Sequence, residues 1–225
     1  FICALLFESR AQNEAEMKIV YVYDPLCGWC YGFSPVMTKI YEKHKNNVQF
    51  EVISGGMVTG NRIGPIGEVA GYIGEAYKRV EQKTGTKFGK DFLEGTLKEG
   101  KANFTSIPPS IALTIFKEYK PEEAILFASD IQKGIYYEGK EPERKQWYSD
   151  IALKYGIKKD IFLSKFEESD YLVKARSDFK RAQELGVRGF PSVFIEQNGE
   201  ITVISSGYSD FENLDKKISK YLAKN

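Results

Sequence analysis

Two cysteines separated by two residues are the feature of this sequence best suited to chemistry. Cys27 and Cys30 stand in a Cys-Gly-Trp-Cys segment, which follows the β-branched and aromatic run at 18–23 and precedes apolar residues at helical spacing. Two thiols at such a junction are typical of a redox-active pair. A buried structural pair is the alternative, and the intervening Gly28 and Trp29 favour an exposed, shaped turn instead. The pattern therefore predicts thiol–disulfide exchange at the beginning of a helix.

The position of each thiol along that helix suggests its role. Cys27 is expected at the N-terminus, where unpaired backbone N–H groups and the positive end of the helix dipole stabilise a thiolate. Cys30 lies one turn later on the same face, within disulfide reach but deeper and less exposed. We therefore expect Cys27 to be the attacking sulfur and Cys30 the resolving one.

A metal site is the competing interpretation, because Cys-x-x-Cys also supplies half of a zinc site. Only Cys3 and His44 remain as further soft ligands, whereas a structural zinc site needs four ligands. We therefore predict no metal, and no cofactor beyond a redox-active disulfide between Cys27 and Cys30. His44 lies in a charged stretch at the end of a predicted helix, so we expect its side chain to be solvated.

A proline motif far along the chain is a second signal. Gly189, Phe190 and Pro191 follow a predicted helix and precede the predicted strand residues 192–195, which are apolar from Val193 onward. A proline at the beginning of a strand has no N–H group and is often cis where the chain turns tightly. Gly-x-Pro turns are common, so the motif gains its meaning from the strand, the cysteine pair and the helix upstream.

With both motifs in place, the sequence resembles the thioredoxin superfamily. It is most similar to the DsbA-like branch of bacterial dithiol oxidoreductases and FrnE-type predicted protein-disulfide isomerases, in which Asp-Pro-x-Cys-x-Trp-Cys-x-Gly-Phe occurs. The resemblance implies that Cys27 is the nucleophile, that Cys30 resolves, and that Pro191 is a cis-proline facing them. One position departs from the pattern: Tyr21 stands where thioredoxin and DsbA carry a buried acid, and the nearest carboxylate is Asp24.

Three further residues are predicted to contact the substrate. Trp29 lies between the thiols and is expected to be only partly buried, so that it can pack on an incoming polypeptide. Phe190 precedes the proline, and its backbone N–H and C=O groups are expected to pair with an extended substrate strand. Gly28 completes this predicted substrate-binding set.

The order of predicted elements indicates an α/β, thioredoxin-like fold with a large all-helical insertion between an N-terminal βαβ unit and a C-terminal β-hairpin and helix. Residues 17–62 and 171–225 form the predicted thioredoxin-like domain, and residues 63–170 the helical insertion subdomain. A hairpin turn is predicted at Asn198-Gly199. Aromatic residues at helical spacing in the insertion are expected to be mostly core: Tyr72, Tyr77, Phe92, Phe104, Phe116, Phe127, Tyr136 and Tyr137.

The charge balance limits the partners that the protein can have, and the N-terminal segment bears on its compartment. Lys and Arg number 32 against 31 Asp and Glu, so the balance gives no electrostatic footprint for nucleic acid or an anionic membrane. Residues 1–16 are interpreted as an N-terminal extension, either a signal remnant or non-native. Because the first strand follows Met17 directly, we expect a start at Met17 and a cytoplasmic protein; a signal remnant would instead indicate the periplasm.

The sequence thus predicts a thiol–disulfide oxidoreductase that exchanges disulfides with polypeptides or with small thiols such as glutathione, as a monomer or homodimer. Two alternatives remain. One is a peptide- or glutathione-binding module of the same fold without turnover. The other is a kappa-type glutathione-dependent isomerase or transferase, which shares the helical insertion but normally works without a Cys-x-x-Cys pair. The sequence leaves open whether the protein acts as oxidant, isomerase or reductase.

Overall fold

The computed structural model describes residues 17–223. The interpretations of Cys3 and of residues 1–16 lie outside this range. None of the helices in the described range combines the length and the apolar character that crossing a bilayer requires.

A mixed four-stranded sheet with the order β2-β1-β5-β6 forms the centre of the fold. The central strand β1 pairs in parallel with β2 and antiparallel with β5, and β5 continues into β6 as a hairpin. A separate two-residue ladder joins β3 and β4. The strands are β1 (Lys18–Tyr23), β2 (Gln49–Ser54), β3 (Gly64–Pro65), β4 (Asn103–Phe104), β5 (Ser192–Gln197) and β6 (Glu200–Ser206).

Helices follow each part of the sheet and fill the interval between β2 and β5. They are α1 (Gly28–His44), α2 (Ala70–Thr84), α3 (Leu97–Glu99), α4 (Ile107–Tyr119), α5 (Ala124–Tyr136), α6 (Gln146–Lys154), α7 (Lys159–Phe166), α8 (Ser169–Glu184) and α9 (Phe211–Leu222). A π-helical turn at Asp91–Thr96 leads into α3, and 3-10 turns lie at Gly60–Arg62, Ile66–Val69 and Pro121–Glu123. The predicted order of strands, helices and hairpin is therefore present. The domain boundaries at residues 63 and 170 stay a prediction.

Both faces of β1 are buried, which explains its continuous apolar sequence. Ile19 and Tyr21 point into the larger core, which α1 and α9 share with the helical region. Val20 and Val22 point to the opposite face, where Ala182 of α8 covers them. Because α1 also packs against α5, the helical region lies directly over the helix that carries the cysteines.

Local turn and cap signals place the C-terminal elements. Asn198 and Gly199 both have positive φ, 54° and 78°, as a two-residue type I′ hairpin requires. The Asp210 carboxylate accepts a hydrogen bond from the Asn213 N–H group at 2.8 Å and caps α9. The predicted hairpin and final helix are therefore confirmed.

The predicted solvation of His44 is wrong. Its side chain is only 4 % exposed, and its ring Nε2 lies 2.7 Å from Asp215 Oδ1. The cause is α9, which packs on α1 and brings Asp215 from 171 positions away in the chain. The charged neighbours of His44 in sequence gave no sign of this long-range cover.

The aromatic residues of the helical region are mostly buried, as expected. Two of them depart from that prediction: Tyr72 is 70 % exposed and Tyr137 is 48 % exposed. Tyr77 is half-buried. Tyr72 lies on α2 at the rim of the cavity described below, where helical spacing alone could not distinguish a rim residue from a core residue.

Candidate active site

The first cysteine is the N-cap of α1. After β1 ends, the chain turns tightly, because the Cys27 N–H group donates to the Asp24 carbonyl at 3.0 Å and the Leu26 N–H group donates to Asp24 Oδ1 at 2.9 Å. The Cys27 sulfur in turn accepts a hydrogen bond from the Cys30 N–H group at 3.4 Å. The thiol of Cys27 thus occupies the place of a capping side chain, where a helix presents its unpaired N–H groups.

Both cysteines are free thiols with different exposure. Cys27 is 7 % exposed and contributes to a cavity wall, whereas Cys30 is completely buried behind it. Burial raises the pKa of Cys30 well above its usual value, and the hydrogen bond to Cys27 and the charge of Cys27 raise it further. Cys30 therefore stays protonated, and a protonated thiol is a poor nucleophile.

The proline loop lies against the first cysteine. The Phe190–Pro191 peptide bond is cis, as the resemblance implied, and Pro191 is buried. The Cys27 thiol donates to the Phe190 carbonyl across 3.6 Å, although the two residues are 163 positions apart. A Cβ atom added to Gly55 would lie 2.1 Å from the Phe190 ring. The absence of a side chain at Gly55 therefore allows Phe190 to pack closely on the end of β2.

Asp24 is a fully buried carboxylate at the base of the turn. Its Oδ1 accepts from Leu26 and, at 2.9 Å, from the Ser106 hydroxyl, and its Oδ2 accepts from the Met57 N–H group at 2.6 Å. Burial raises the pKa of Asp24 to about 6, although these hydrogen bonds favour the charged form. Asp24 therefore titrates near neutrality and also ties the cysteine turn to the loop after β2.

Two residues of α5 hold the cysteine turn from the side of the helical region. Gln132 Nε2 donates to the Asp24 carbonyl at 3.2 Å and to the Cys27 carbonyl at 3.5 Å. The Tyr136 hydroxyl donates to the Leu26 carbonyl at 2.5 Å. The sequence analysis did not assign a site role to either residue. A buried Gln on the otherwise apolar inner face of α5 is the one signal that could have indicated it.

Tyr21, at the position of the expected acid, places a neutral group beneath the thiols. Its side chain is buried, and its hydroxyl has no hydrogen-bond partner of ordinary geometry among residues 17–223. Burial raises the pKa of Tyr21 well above 10, and the charges of Cys30 and Cys27 raise it further. Tyr21 is therefore a neutral phenol at every physiological pH and cannot replace the carboxylate that the resemblance led us to expect at this position.

A cavity of about 560 Å³, here called the thiol cavity, opens beside Cys27. Its walls come from the cysteine turn, the loop after β2, α2 and the proline loop. All three predicted substrate contacts, Gly28, Trp29 and Phe190, line it, whereas Cys30 and Pro191 do not. Gly28, Trp29 and Phe190 are each half-buried. The described residues bring together no group of three or more His, Cys, Asp or Glu side chains that could hold a metal ion.

A mixed sheet with a dithiol at the start of α1 and a cis-proline loop beside it defines the class of thioredoxin-fold proteins. A family model described as "Thioredoxin" matches residues 20–215, so the chain belongs to the thioredoxin family. Comparison of the sequence with curated proteins gives no match.

Solved structures that share the fold of this chain include several disulfide oxidoreductases. "A putative protein disulfide isomerase" from Nitrosomonas europaea is 21 % identical with a TM-score of 0.80, covering 93 % of this chain and 99 % of that one. The cytosolic disulfide reductase DsbM from Pseudomonas aeruginosa is 25 % identical with a TM-score of 0.78, and the match covers 92 % of this chain and 100 % of that one. A second similar structure is that of DsbM with GSH. A probable DsbA oxidoreductase from Streptomyces coelicolor is 14 % identical with a TM-score of 0.64, covering 93 % and 92 %. The thioredoxin-like fold with its helical insertion is thereby confirmed.

Proposed function

We propose that this protein reduces disulfides through the dithiol pair Cys27 and Cys30. The observation that carries the proposal is the unequal exposure of two free thiols: Cys27 at the wall of the thiol cavity, against the cis-proline loop, and Cys30 completely buried behind it. A substrate in the cavity can reach only the first sulfur. The second is placed to act later and only on the first.

The proposed reaction has two exchange steps. The Cys27 thiolate attacks one sulfur of a substrate disulfide, so that the substrate S–S bond breaks, a mixed disulfide forms on Cys27, and the first substrate thiolate leaves. Cys30 then loses its proton and attacks the Cys27 sulfur. This step releases the second substrate thiol and closes the Cys27–Cys30 disulfide. The substrate gains two electrons and two protons, and the enzyme dithiol loses them.

The surroundings of Cys27 favour the reducing direction. Strong oxidants of this fold keep their reduced form stable. Here the Cys27 sulfur has one N–H donor among the described residues, that of Cys30 at 3.4 Å, and the Phe190 carbonyl oxygen faces it at 3.6 Å. A single N–H donor to the Cys27 sulfur among the described residues gives the reduced pair little extra stability, which supports the reducing direction. The name of DsbM, a cytosolic disulfide reductase, supports the same direction and a cytoplasmic location.

Substrate contacts are proposed for Trp29, Gly28 and Phe190. Trp29 presents a half-buried ring to the thiol cavity, and Gly28 leaves room beside it. The Phe190 carbonyl is engaged with the Cys27 thiol, so its N–H group is the backbone contact that we assign to a substrate. Residues 63–170 are proposed as the helical subdomain that supplies the α2 wall.

The first experiment is the equilibrium reduction potential of the pair, measured in a glutathione series by mass after alkylation. A reductase is expected near about −270 mV and a disulfide donor near about −120 mV. Replacing Cys27 by Ser should abolish exchange, and replacing Cys30 by Ser should accumulate mixed disulfides on Cys27. Absence of any adduct on Cys27 in the second variant would contradict the assigned roles.

A binding module without turnover is the second candidate, because a structure of DsbM with GSH supports glutathione binding in this fold. Under that proposal, the serine variants would bind glutathione as well as the native protein does, and the pair would never cycle in the series. The cysteine pair itself disfavours a kappa-type transferase. Sedimentation of the native chain would decide between a monomer and a homodimer.

A further inference from the structure

Among the described residues, the charged side chains that line the thiol cavity are both arginines, and the buried Asp24, which does not line it, interacts electrostatically with Arg62. The cavity wall is mostly apolar, and among the described residues the ionisable side chains that line it, apart from Cys27 and three tyrosines, are Arg62 and Arg188. Within residues 17–223, no Asp or Glu side chain lines it. In a chain with nearly equal numbers of acids and bases, this is a local excess of positive charge beside the reacting sulfur.

The two arginines come from two different segments of the cavity wall. Arg62 ends the 3-10 turn after β2, and Arg188 stands two residues before Phe190 in the proline loop. Arg62 donates one hydrogen bond to the Gly56 carbonyl at 3.4 Å. Neither arginine forms an ion pair with a carboxylate of residues 17–223, and both are exposed. Their guanidinium groups are therefore available to a ligand.

Positive charge continues beyond the thiol cavity. A neighbouring cavity of about 320 Å³ shares Gln183 with it and is lined by Arg176 and Lys180, again without a carboxylate in its wall. Lys180 pairs with Glu184 one turn further along α8, whereas Arg176 has no ion pair among the described residues. Basic side chains therefore line both the thiol cavity and the neighbouring cavity beside α8.

These features indicate a particular substrate chemistry. A guanidinium group can bind a carboxylate with two parallel hydrogen bonds. The apolar side chains of the cavity wall have no hydrogen-bond donors for a carboxylate. A volume of about 560 Å³ is within the range of small-molecule sites. We propose that the thiol cavity accepts small disulfides that carry carboxylates, with Arg62 and Arg188 binding the carboxylates while Cys27 attacks the sulfur. This inference rests on the proposed function and names its substrate class.

The exchange step keeps the balance given above. The disulfide bond of the small molecule breaks, both of its halves leave as thiols, and the enzyme pair becomes the disulfide. The carboxylates take no part in the bond changes. The arginines therefore raise the rate only by holding the disulfide near Cys27 and by favouring the approach of an anion.

A matched set of disulfides tests the proposal. The probes are 3,3′-dithiodipropionate, its neutral diamide and the cationic disulfide cystamine. The pre-reduced protein is mixed with each probe, formation of the Cys27–Cys30 disulfide is followed by alkylation and mass, and each rate is divided by the rate of the same probe with free dithiothreitol. We expect the corrected rate of the dicarboxylate to exceed that of the diamide by at least about tenfold, which corresponds to about 1.4 kcal/mol, and that of cystamine to be the lowest.

The variants Arg62→Gln and Arg188→Gln should each lower the ratio of the dicarboxylate rate to the diamide rate by about tenfold. Arg188→Lys should recover part of the loss, because lysine keeps the positive charge but lacks the two parallel N–H donors of the guanidinium group. Arg144→Gln is the matched control: Arg144 is an exposed arginine that lines neither cavity, and its replacement should change no rate.

The outcomes separate the two proposals. If none of the three probes oxidises the Cys27–Cys30 pair of the native protein, the proposed function fails. If it oxidises with all three at equal corrected rates, and the glutamine variants do not change the ratios, the function stands and the carboxylate site is overturned. If a peptide disulfide flanked by glutamates reacts much faster than the dicarboxylate through the same arginines, the assignment to small molecules is wrong.

Discussion

At the residue scale, Asp24 gives the molecule a dependence on pH. Burial raises its pKa from 3.8 to about 6, so the folded state binds a proton more tightly than the unfolded chain does. The contribution of protonated Asp24 to the free energy of unfolding is fully present below about pH 4 and is lost as the pH rises through about 6. A shift from 3.8 to about 6 corresponds to about 3 kcal/mol of unfolding free energy.

The variant Asp24→Asn removes the titration and should flatten this dependence. Urea titrations at about pH 4 and about pH 7 give the free energy of unfolding of the native protein minus that of the variant. This difference is expected to fall with rising pH, because the other titrating groups contribute equally to both proteins. The comparison uses the slope, because the Asn amide also loses an acceptor for the Met57 N–H group. Glu138→Gln, at an exposed carboxylate, should keep the native slope; equal slopes for Asp24→Asn and the native protein would contradict the raised pKa.

Local sequence was sufficient to predict some residues of the candidate site and not others. Cys27, Cys30 and the cis-proline belong to short motifs whose geometry is set by their neighbours in the chain. Gln132 and Ser106 act on the same turn from α5 and from the residue before α4, more than 80 positions away. Their contacts depend on how the helical region packs over α1, and no pattern within either helix encodes that placement.

At the element scale, the contact between α1 and α2 depends on Gly32. A Cβ atom at Gly32 would lie 2.6 Å from Val80 Cγ1 and 2.9 Å from Thr84 Cγ2. Gly32→Ala should therefore push α2 outward and destabilise the fold by about 1–3 kcal/mol. Because α2 forms one wall of the thiol cavity, the rate of exchange should change as well.

Gly74→Ala is the matched control for this contact. Gly74 lies in α2 with no atom within 4 Å of an added Cβ, so alanine should stabilise the helix by about 1 kcal/mol and leave exchange unchanged. Thermal unfolding of the two variants, with the exchange rate of each, measures both effects. Two changes of the same sign would show that α2 does not approach α1 at Gly32.

Residues 89–98, which lie within the predicted helical subdomain, show what periodicity cannot resolve. The segment is π-helical from Asp91 to Thr96 before it becomes α3. Gly89 packs against the backbone that follows α5, since an added Cβ would lie 1.8 Å from the Tyr137 carbonyl oxygen. The Thr96 hydroxyl donates to the Gly139 carbonyl at 2.6 Å. Tertiary contacts at both ends hold this turn, so hydrophobic spacing predicted a helix but not its kind.

At the scale of the whole molecule, the C-terminal helix is joined to the helix of the cysteines by a charged contact. Asp215 accepts hydrogen bonds from Lys43 at 2.6 Å and from the buried His44 at 2.7 Å. Burial alone would raise the pKa of Asp215, but these two partners outweigh it and lower the pKa. This contact stabilises the fold above the ordinary carboxyl pKa, and the stabilisation is lost as the pH falls through the lowered value.

Asp215→Ala should leave the His44 ring buried without its partner and lower the free energy of unfolding by about 1–3 kcal/mol. The loss should be smaller in acid, where the native carboxylate is protonated. Lys216→Ala, at the exposed neighbouring position, should change the free energy little. Urea unfolding of both variants at neutral and acidic pH tests the contact, and a neutral-pH loss no larger than that of Lys216→Ala would contradict it.

The distance of 163 positions between Cys27 and Phe190 also has a consequence for synthesis. A ribosome adds about 5–20 residues per second, so roughly 8–33 seconds separate the emergence of the dithiol from that of the loop that later covers it. During this interval α1 can form, but the sulfur that the finished protein holds beside a carbonyl has no such neighbour. The nascent chain is therefore more open to oxidation than the folded enzyme, and a reducing environment protects it when it is most exposed.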